Sequence, residues 1–151
     1  ISENVGTGFT RALYSTYLSY LDHSQISYPL ISHQDDRGKF VEILKTKDAG
    51  QFSFFTINPG VTRGQHYHHT KTEKFLVVKG LAKFRFKNLL TNERSEFSVS
   101  GNDHVVVESI PGWAHDISNP AQEEALVMLW ANENFNPENP DTIGYSLDES
   151  K

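Results

Sequence analysis

Residues 60–80 constrain this chain more than any other part of its sequence. They place His66, His68 and Glu73 within eight residues, between two glycines at fixed offsets. Imidazole nitrogens and a carboxylate oxygen together suit a divalent metal such as zinc, iron or manganese. Alternate residues of a strand point to one face, so His66 and His68 are expected to share a face. Glu73 opens the apolar run FLVV and is expected to return on a neighbouring strand toward the same interior.

A second histidine motif lies downstream, in the stretch IPGWAHDISN. Its Gly112 is followed at the third position by His115 and four residues later by Asn119. The first motif by itself indicates a metal site that includes His66, His68 and Glu73. The spacing leaves one alternative open, a group of buried, hydrogen-bonded histidines that binds no metal.

Seven apolar or alternating runs predict β-strands, and turn sequences rich in Gly, Asn, Asp and Pro separate them. The predicted strands are 39–45, 52–58, 73–78, 82–87, 95–99, 104–108 and 125–130. Alternation is clearest in LAKFRFKN, where Ala82, Phe84 and Phe86 should face one side. Many short strands with regular turns are typical of an all-β sandwich or barrel.

The two ends of the chain differ from this pattern. Residues 9–22 carry apolar side chains at the spacing of one helix face. Such an amphipathic helix needs a surface to pack on, which could be the barrel, a second subunit or a larger preceding domain. Residues 132–151 are polar and interrupted by prolines, which predicts a loosely attached extension.

Composition excludes several classes of function. The chain has 14 basic and 19 acidic residues and no basic stripe, which argues against a nucleic-acid partner. It has no cysteine, so disulfides and thiolate ligands are excluded, and a reducing compartment fits. No apolar run reaches transmembrane length and no signal-peptide pattern opens the sequence. We therefore expect a cytoplasmic protein without a membrane partner.

Both histidine motifs resemble the signatures of the cupin superfamily. The usual second signature has a residue between its proline and glycine, whereas Pro111 and Gly112 are adjacent here. The resemblance implies an antiparallel jelly-roll β-barrel, all-β apart from the N-terminal helix. It also implies one divalent metal with four ligands, His66, His68, Glu73 and His115. Zinc is the expected ion, and Fe²⁺ or Mn²⁺ are the other candidates.

Two further segments resemble the deoxysugar epimerase branch of the cupins, typified by dTDP-4-dehydrorhamnose 3,5-epimerase. An RG-x-F-x-E segment begins at Arg37 and ends at Glu42, and an RG-x-H segment runs from Arg63 to His66. Closer still is the similarity to the C-terminal domain of the CapF-type bifunctional enzymes of capsule and O-antigen synthesis. It covers nearly the whole chain, including YSTYLSYL, residues 45–80, IPGWAHDISN and VMLWANE.

The CapF resemblance also implies a domain organisation. In those enzymes a short-chain reductase precedes the cupin domain, so residues 1–23 are expected to be the last helix of a reductase. The cupin domain would then be 24–131, followed by the 132–151 extension. NADPH would belong to the reductase and would not bind this chain, and the protein is expected to form a homodimer.

The implied chemistry is epimerisation at C3 of a UDP-2-acetamido-2,6-dideoxy-hexos-4-ulose, in UDP-N-acetyl-L-fucosamine synthesis. The RG-x-H histidine of the rhamnose epimerases is their base, which puts His66 in that role. His66 is also the first cupin ligand, and a coordinated nitrogen cannot accept a proton. Two versions therefore stay open: His66 as base, or His66 as a fourth metal ligand. The tyrosine acid of the rhamnose-type enzymes has no counterpart around Trp130, so the acid is unassigned.

Four residues are candidates for substrate binding. Arg37 and Arg63 could hold the UDP diphosphate, since guanidinium forks suit phosphate oxygens, although each could equally form a local ion pair. Glu42 belongs to the same epimerase pattern. Trp113 could stack on the sugar or on uracil, or else pack in the core.

Two other functions remain open at this stage. The same three-His, one-Glu set can hold Fe(II) in a cupin dioxygenase. A non-catalytic module for sugar-nucleotide binding or dimerisation is the second alternative, because cupin barrels host many functions.

Overall fold

Two antiparallel β-sheets packed face to face form the body of this protein. The computed structural model describes residues 5–148, apart from the side chain of His23. Residues 1–4 and 149–151, the outer ends of the predicted segments 1–23 and 132–151, lie outside the described residues. An α-helix, α1 (Gly8–Ser19), and a 3₁₀ turn, His23–Gln25, precede the strands. The strands are β1 (Ser32–Asp35), β2 (Gly38–Lys45), β3 (Gln51–Ile57), β4 (Thr62–Tyr67), β5 (Glu73–Lys79), β6 (Leu81–Asn88), β7 (Arg94–Ser100), β8 (Val106–Ser109), β9 (Trp113–Ser118), β10 (Ala125–Ala131) and β11 (Ile143–Gly144).

The strand order is that of a barrel made from two sheets. One sheet has six strands in the order β1-β2-β3-β10-β5-β8, and the other has five in the order β11-β4-β9-β6-β7. Apolar side chains from both sheets meet in one core, where the rings of Phe75 and Phe84 lie 5.9 Å apart. The predicted all-β architecture of antiparallel strands is confirmed.

Strands with a regular apolar or alternating pattern were predicted well. Ala82, Phe84 and Phe86 of β6 are all buried, as their alternation predicted. Strands β1, β9 and β11 were not predicted, and β4 was predicted only as the strand of His66 and His68, of which His68 lies beyond its end. These strands are short, and they carry polar or glycine residues that hide the period of two.

The N-terminal helix forms where it was predicted, but it buries little of its surface on the barrel. Within the described residues, α1 contains no buried residue, and Phe9 is 80% exposed. Its contact with the barrel of the same chain is therefore limited to the half-buried Tyr14, which lines the same cavity as barrel residues. A second subunit and a preceding domain stay as predictions.

Among the helices of the described residues, none has the length and apolar character needed to span a membrane.

The C-terminal segment is attached to the barrel, so the prediction of a loose extension is wrong. Its strand β11 pairs with β4, and the backbone N–H of Tyr145 donates to the carbonyl of Gln65 at 2.7 Å. Leu147 is buried, and Asp148 forms an ion pair with Arg85 at 2.9 Å. The composition of this segment did not predict its attachment, because the attachment depends on a few specific contacts to residues far away in the sequence.

Replacing Phe84 by Ala tests the position of the core. Phe84 is 2% exposed and touches aromatic rings of both sheets, so its loss should leave a cavity. We expect the free energy of unfolding to fall by about 3–5 kcal/mol, measured by urea denaturation. The matched control is Phe9→Ala, at an exposed position, which should change it by less than about 0.5 kcal/mol. An equal effect of the two substitutions would contradict this core.

Candidate metal centre

The four predicted ligands come together at one end of the barrel, between the two sheets. His66 lies on β4 and His115 on β9, and the two are paired neighbours in the five-stranded sheet. Glu73 opens β5 in the six-stranded sheet, and His68 lies in the loop that joins β4 to β5. The neighbouring strand expected to carry Glu73 therefore belongs to the opposite sheet, and the cluster bridges the two sheets.

A β-bulge in β4 aims His66 into the interior. The register between β4 and β9 shifts between Gly64 and His66, and Gln65 has a positive φ of 59°. Such a bulge adds a residue to one strand and redirects the side chains that follow it. Arg63 and His66 would point to opposite faces of a regular strand, yet both line the same cavity. Gly64 permits the close approach to β9, because a Cβ there would lie 3.1 Å from the His115 carbonyl oxygen.

The adjacent proline and glycine of the second motif form a tight turn that places β9. The N–H of Trp113 donates to the carbonyl of Ile110 at 3.2 Å, and Gly112 has a φ of 78°. Pro at the second position and Gly with positive φ at the third are the signature of a type II turn. The N–H of Gly112 also donates to the carbonyl of His68 at 2.9 Å, so this turn ties the two histidine motifs together.

The ligand atoms converge closely enough for a single ion. One nitrogen or oxygen from each of the four residues lies within 4.8 Å of all the others. The Oε2 atom of Glu73 lies 3.0 Å from Nε2 of His68 and 3.3 Å from Nε2 of His115. Because metal–ligand bonds of Zn²⁺ to His and carboxylate are about 2.0–2.2 Å, ligand atoms around one ion are expected at such separations.

The chemistry of the donor set also fits a cation. Nδ1 of His68 faces the backbone carbonyl of Asp141, and Nδ1 of His115 lies 3.4 Å from the carbonyl oxygen of Trp113. A ring that donates from Nδ1 presents the Nε2 lone pair to the Glu73 carboxylate, an arrangement that is repulsive without a second proton or a cation between them. Nε2 of His66 is buried and has no hydrogen-bond partner among the described residues. A divalent metal would satisfy the Nε2 atoms of His68 and His115 and the Glu73 carboxylate, which would hold it, either with His66 as a fourth ligand or with Nε2 of His66 left free.

Burial and mutual contacts shift the acidity of this cluster. Burial lowers the pKa of the His66 imidazole, which favours its neutral form. For Glu73, burial alone would raise the pKa of the carboxyl. The interactions with the rings of His115, His66 and His68 outweigh that effect and hold the pKa well below its usual range. A neutral imidazole beside an ionised carboxylate is the protonation state that metal ligands require.

An open cavity of about 1160 Å³ leads from the cluster to the surface. Of the predicted substrate-binding residues, Arg37, Glu42 and Arg63 line it. The Arg37 guanidinium forms an ion pair with Asp35 at 2.5 Å, and that of Arg63 lies 3.8 Å from the same carboxylate. Both arginines therefore form the local ion pairs that were the alternative prediction, and they do so at the wall of the cavity.

Trp113 is not brought to this cavity. It packs against the hydrophobic core and is absent from the cavity lining, although it shares a strand with His115.

The Glu42 carboxylate lies 3.0 Å from the ammonium group of Lys45, which is a further local ion pair at the cavity wall.

Two residues at the site, Lys71 and Asp141, were not predicted from the sequence. Lys71 is only 6% exposed, lines the cavity and donates from Nζ to the Thr142 hydroxyl at 3.0 Å. Lys71 lies in the loop before β5, so no strand period in the sequence indicates that its side chain is buried beside Glu73. Asp141 contacts His68 across 73 residues of sequence, and no local pattern indicates such a contact.

Two histidine substitutions test the ligand set. His68→Ala removes a buried ligand, and we expect the Kd for Zn(II) to rise by more than about 100-fold, since even groups that only orient ligands are worth about 10–100-fold. His104→Asn is the control, because His104 is exposed, lies outside the cavity lining and has a positive φ that asparagine tolerates, so the Kd should not change. Competition with a chromophoric chelator measures both values. Equal affinities for the two variants would exclude His68 as a ligand.

Comparison with known proteins agrees with this architecture. Residues 33–143 match the family model described as the polysaccharide biosynthesis C-terminal domain. A curated relative from Pseudomonas aeruginosa, named UDP-2-acetamido-2,6-beta-L-arabino-hexul-4-ose reductase, is 59% identical over 145 residues. That match covers 96% of this chain and 39% of the relative.

Solved structures give the same result. The capsular polysaccharide assembling protein CapF from Staphylococcus aureus superposes with a TM-score of 0.87 at 45% identity, over 92% of this chain and 40% of CapF. The Drosophila melanogaster CENP-C cupin domain, at 16% identity and a TM-score of 0.59, shares the fold over 68% of this chain and 70% of that one. This chain spans about 40% of the length of the P. aeruginosa relative and of CapF. With its motifs, its two-sheet barrel and its buried histidine cluster, the chain belongs to the polysaccharide biosynthesis C-terminal domain family, as a cupin domain of the CapF type.

Proposed function

We propose that this cupin domain is a metal-dependent epimerase that acts at C3 of a UDP-2-acetamido-2,6-dideoxy-hexos-4-ulose, in UDP-N-acetyl-L-fucosamine synthesis for a surface polysaccharide. The observation that carries the proposal is a buried His₃Glu cluster at the floor of an open cavity whose wall holds two arginines. The P. aeruginosa relative is named for a 4-keto UDP-sugar. Such a ketone acidifies the neighbouring C–H bonds, which makes this class of substrate suitable for epimerisation.

The reaction needs a base on one face of the sugar and a proton source on the other. The base removes the C3 proton, the negative charge moves to O4, and a proton returns to C3 on the opposite face. When bound, a divalent metal supplies a Lewis acid that can polarise the C4 carbonyl. The residues of the chain must hold the sugar with C3 close to the base and keep water away from it.

His66 is the proposed base. Its Nε2 atom has no hydrogen-bond partner among the described residues, and burial lowers the pKa of the ring, so the neutral form that accepts a proton is favoured. In this version Glu73, His68 and His115 would hold the metal. In the competing version His66 is a fourth ligand and another group is the base.

The arginines at the cavity wall are proposed to bind the diphosphate. Arg37 and Arg63 share Asp35, so one carboxylate holds two guanidinium groups on the same side of the cavity. Guanidinium groups suit phosphate oxygens, and the Arg37 side chain is 55% exposed and accessible to a ligand. Glu42 is proposed as a hydrogen-bond acceptor for the sugar or the nucleoside on this wall. Trp113 is not included, because it packs on the core.

The wider assignment follows the longer relatives. We propose that the domain works in the cytoplasm as part of a homodimer, and that NADPH belongs to a reductase domain like that implied by the name of the P. aeruginosa relative. Zinc is the proposed metal, because a His₃Glu set without thiolates suits Zn²⁺, although Fe²⁺ and Mn²⁺ accept the same ligands.

Hydrogen exchange tests the proposed reaction directly. The 4-keto UDP-sugar is incubated with this chain in deuterium oxide and followed by proton NMR, with an EDTA-treated sample as control. We expect deuterium to enter C3, and we expect metal removal to abolish the exchange. A folded, metal-loaded sample that binds the sugar without exchange would contradict the epimerase and favour a binding module. Oxygen consumption by the iron-loaded chain would instead point to a dioxygenase.

His66→Ala separates the two versions of the site. If His66 is the base, exchange at C3 should fall by about 100-fold or more, in line with general base catalysis, while Zn(II) affinity is retained. The two measurements are the NMR exchange rate and the chelator competition, with His104→Asn as the control that should keep both. Loss of the metal together with the exchange would show that His66 is a ligand and would exclude this base.

A further inference from the structure

One residue of the C-terminal segment, Asp141, makes an unusual number of contacts next to the metal cluster. Its carboxylate accepts hydrogen bonds from three successive backbone N–H groups, those of His69 at 2.8 Å, Thr70 at 2.7 Å and Lys71 at 2.9 Å. The Thr70 hydroxyl donates to it as well, at 3.1 Å. The Asp141 side chain is 15% exposed, so these bonds form in a largely protected place. The carboxylate therefore fixes the loop between His68 and Glu73, the two ligands on either side of it.

The backbone of the same residue contacts a ligand directly. The carbonyl of Asp141 accepts the Nδ1–H of His68, which leaves Nε2 of that ring facing Glu73. The next residue, Thr142, accepts a hydrogen bond from the buried Lys71 ammonium group at 3.0 Å. Strand β11 then starts at Ile143 and pairs with β4, which carries His66. The C-terminal segment thus contacts the ligand loop from both its side chain and its main chain.

We propose that Asp141 is a positioning residue of the metal centre: its carboxylate clamps the ligand loop so that its carbonyl holds the His68 ring in the metal-binding orientation. The physical reason is that a hydrogen bond to the second ring nitrogen selects the tautomer and the angle of a ligating histidine. The inference rests on the metal site and is independent of the reaction that the site performs.

If Asp141 only anchored the C-terminal segment, the consequences would be different. Loss of an anchor lowers the stability of the fold, and the loss of another contact between the segment and the barrel should then have a similar effect. Asp148 offers the comparison, since it is the other aspartate through which this segment binds the barrel, in an ion pair with Arg85. Its side chain is 63% exposed and contacts no member of the metal cluster.

The experiment measures the Zn(II) affinity of the 151-residue chain and two variants by competition with a chromophoric chelator. For Asp141→Ala we expect the Kd to rise by about 10–100-fold, the usual effect of losing a group that orients a metal ligand. For Asp148→Ala we expect no change beyond about twofold, since surface ion pairs are worth little. Unchanged affinity in Asp141→Ala, or an equal loss in both variants, would overturn the proposal. If the wild-type chain itself does not bind Zn(II), the metal centre fails together with it.

A second variant and a second readout cover the case in which Asp141→Ala does not fold. Asp141→Asn keeps the shape of the side chain but replaces one acceptor oxygen by a donor that faces backbone N–H groups, so the Kd should rise by about tenfold. In the metal-free protein labelled with ¹⁵N-histidine, a protected Nδ1–H resonance of His68 should be present in the wild type and lost in the variant. A wild-type spectrum without this resonance, or a variant that retains it, would overturn the proposal.

Discussion

The buried carboxylate of Glu73 is the interaction on which the rest of this structure depends. An ionised group in a protein interior is costly unless other groups compensate its charge. Here the rings of His68 and His115 lie 3.0 and 3.3 Å from one of its oxygens, so a proton or a cation held between these groups would compensate the charge. The two rings come from a loop and from the opposite sheet. The compensation therefore requires both sheets to be in place. A metal bound at this point would join the two sheets at one end of the barrel, in addition to any chemistry that it supplies.

The surroundings of the cluster follow from that requirement. The bulge at Gly64 and Gln65 turns His66 inward, and the Pro111–Gly112 turn docks on the backbone of His68. On the far side, the C-terminal segment closes over the ligand loop through Asp141. Arg37 and Arg63 line the cavity that leads to the cluster, and both lie beside the carboxylate of Asp35. Guanidinium groups in this wall support the anionic substrate proposed above.

Much of the fold and of the ligand set could be predicted because the signals are local. The spacing of His66, His68 and Glu73 lies within one short segment, and the alternation in β6 names its buried face correctly. The parts that were missed depend on distant contacts. Trp113 was predicted either to stack on the substrate or to pack in the core, and it packs against the core. The composition of 132–151 predicted a loosely attached extension, yet this segment carries Asp141 and Leu147, whose contacts lie elsewhere in the chain.

By itself, the sequence determined the identity of the four candidate ligands, the antiparallel β class and the resemblance to the CapF-type family, because residue type and short-range spacing carry that information. Only the tertiary structure decided that Glu73 faces the histidines from the opposite sheet, that Nε2 of His66 is left without a partner, and that Asp141 reaches His68. Each of these depends on which strands become neighbours when the barrel closes. That choice is made by packing and hydrogen bonding over the whole chain, and no local pattern records it.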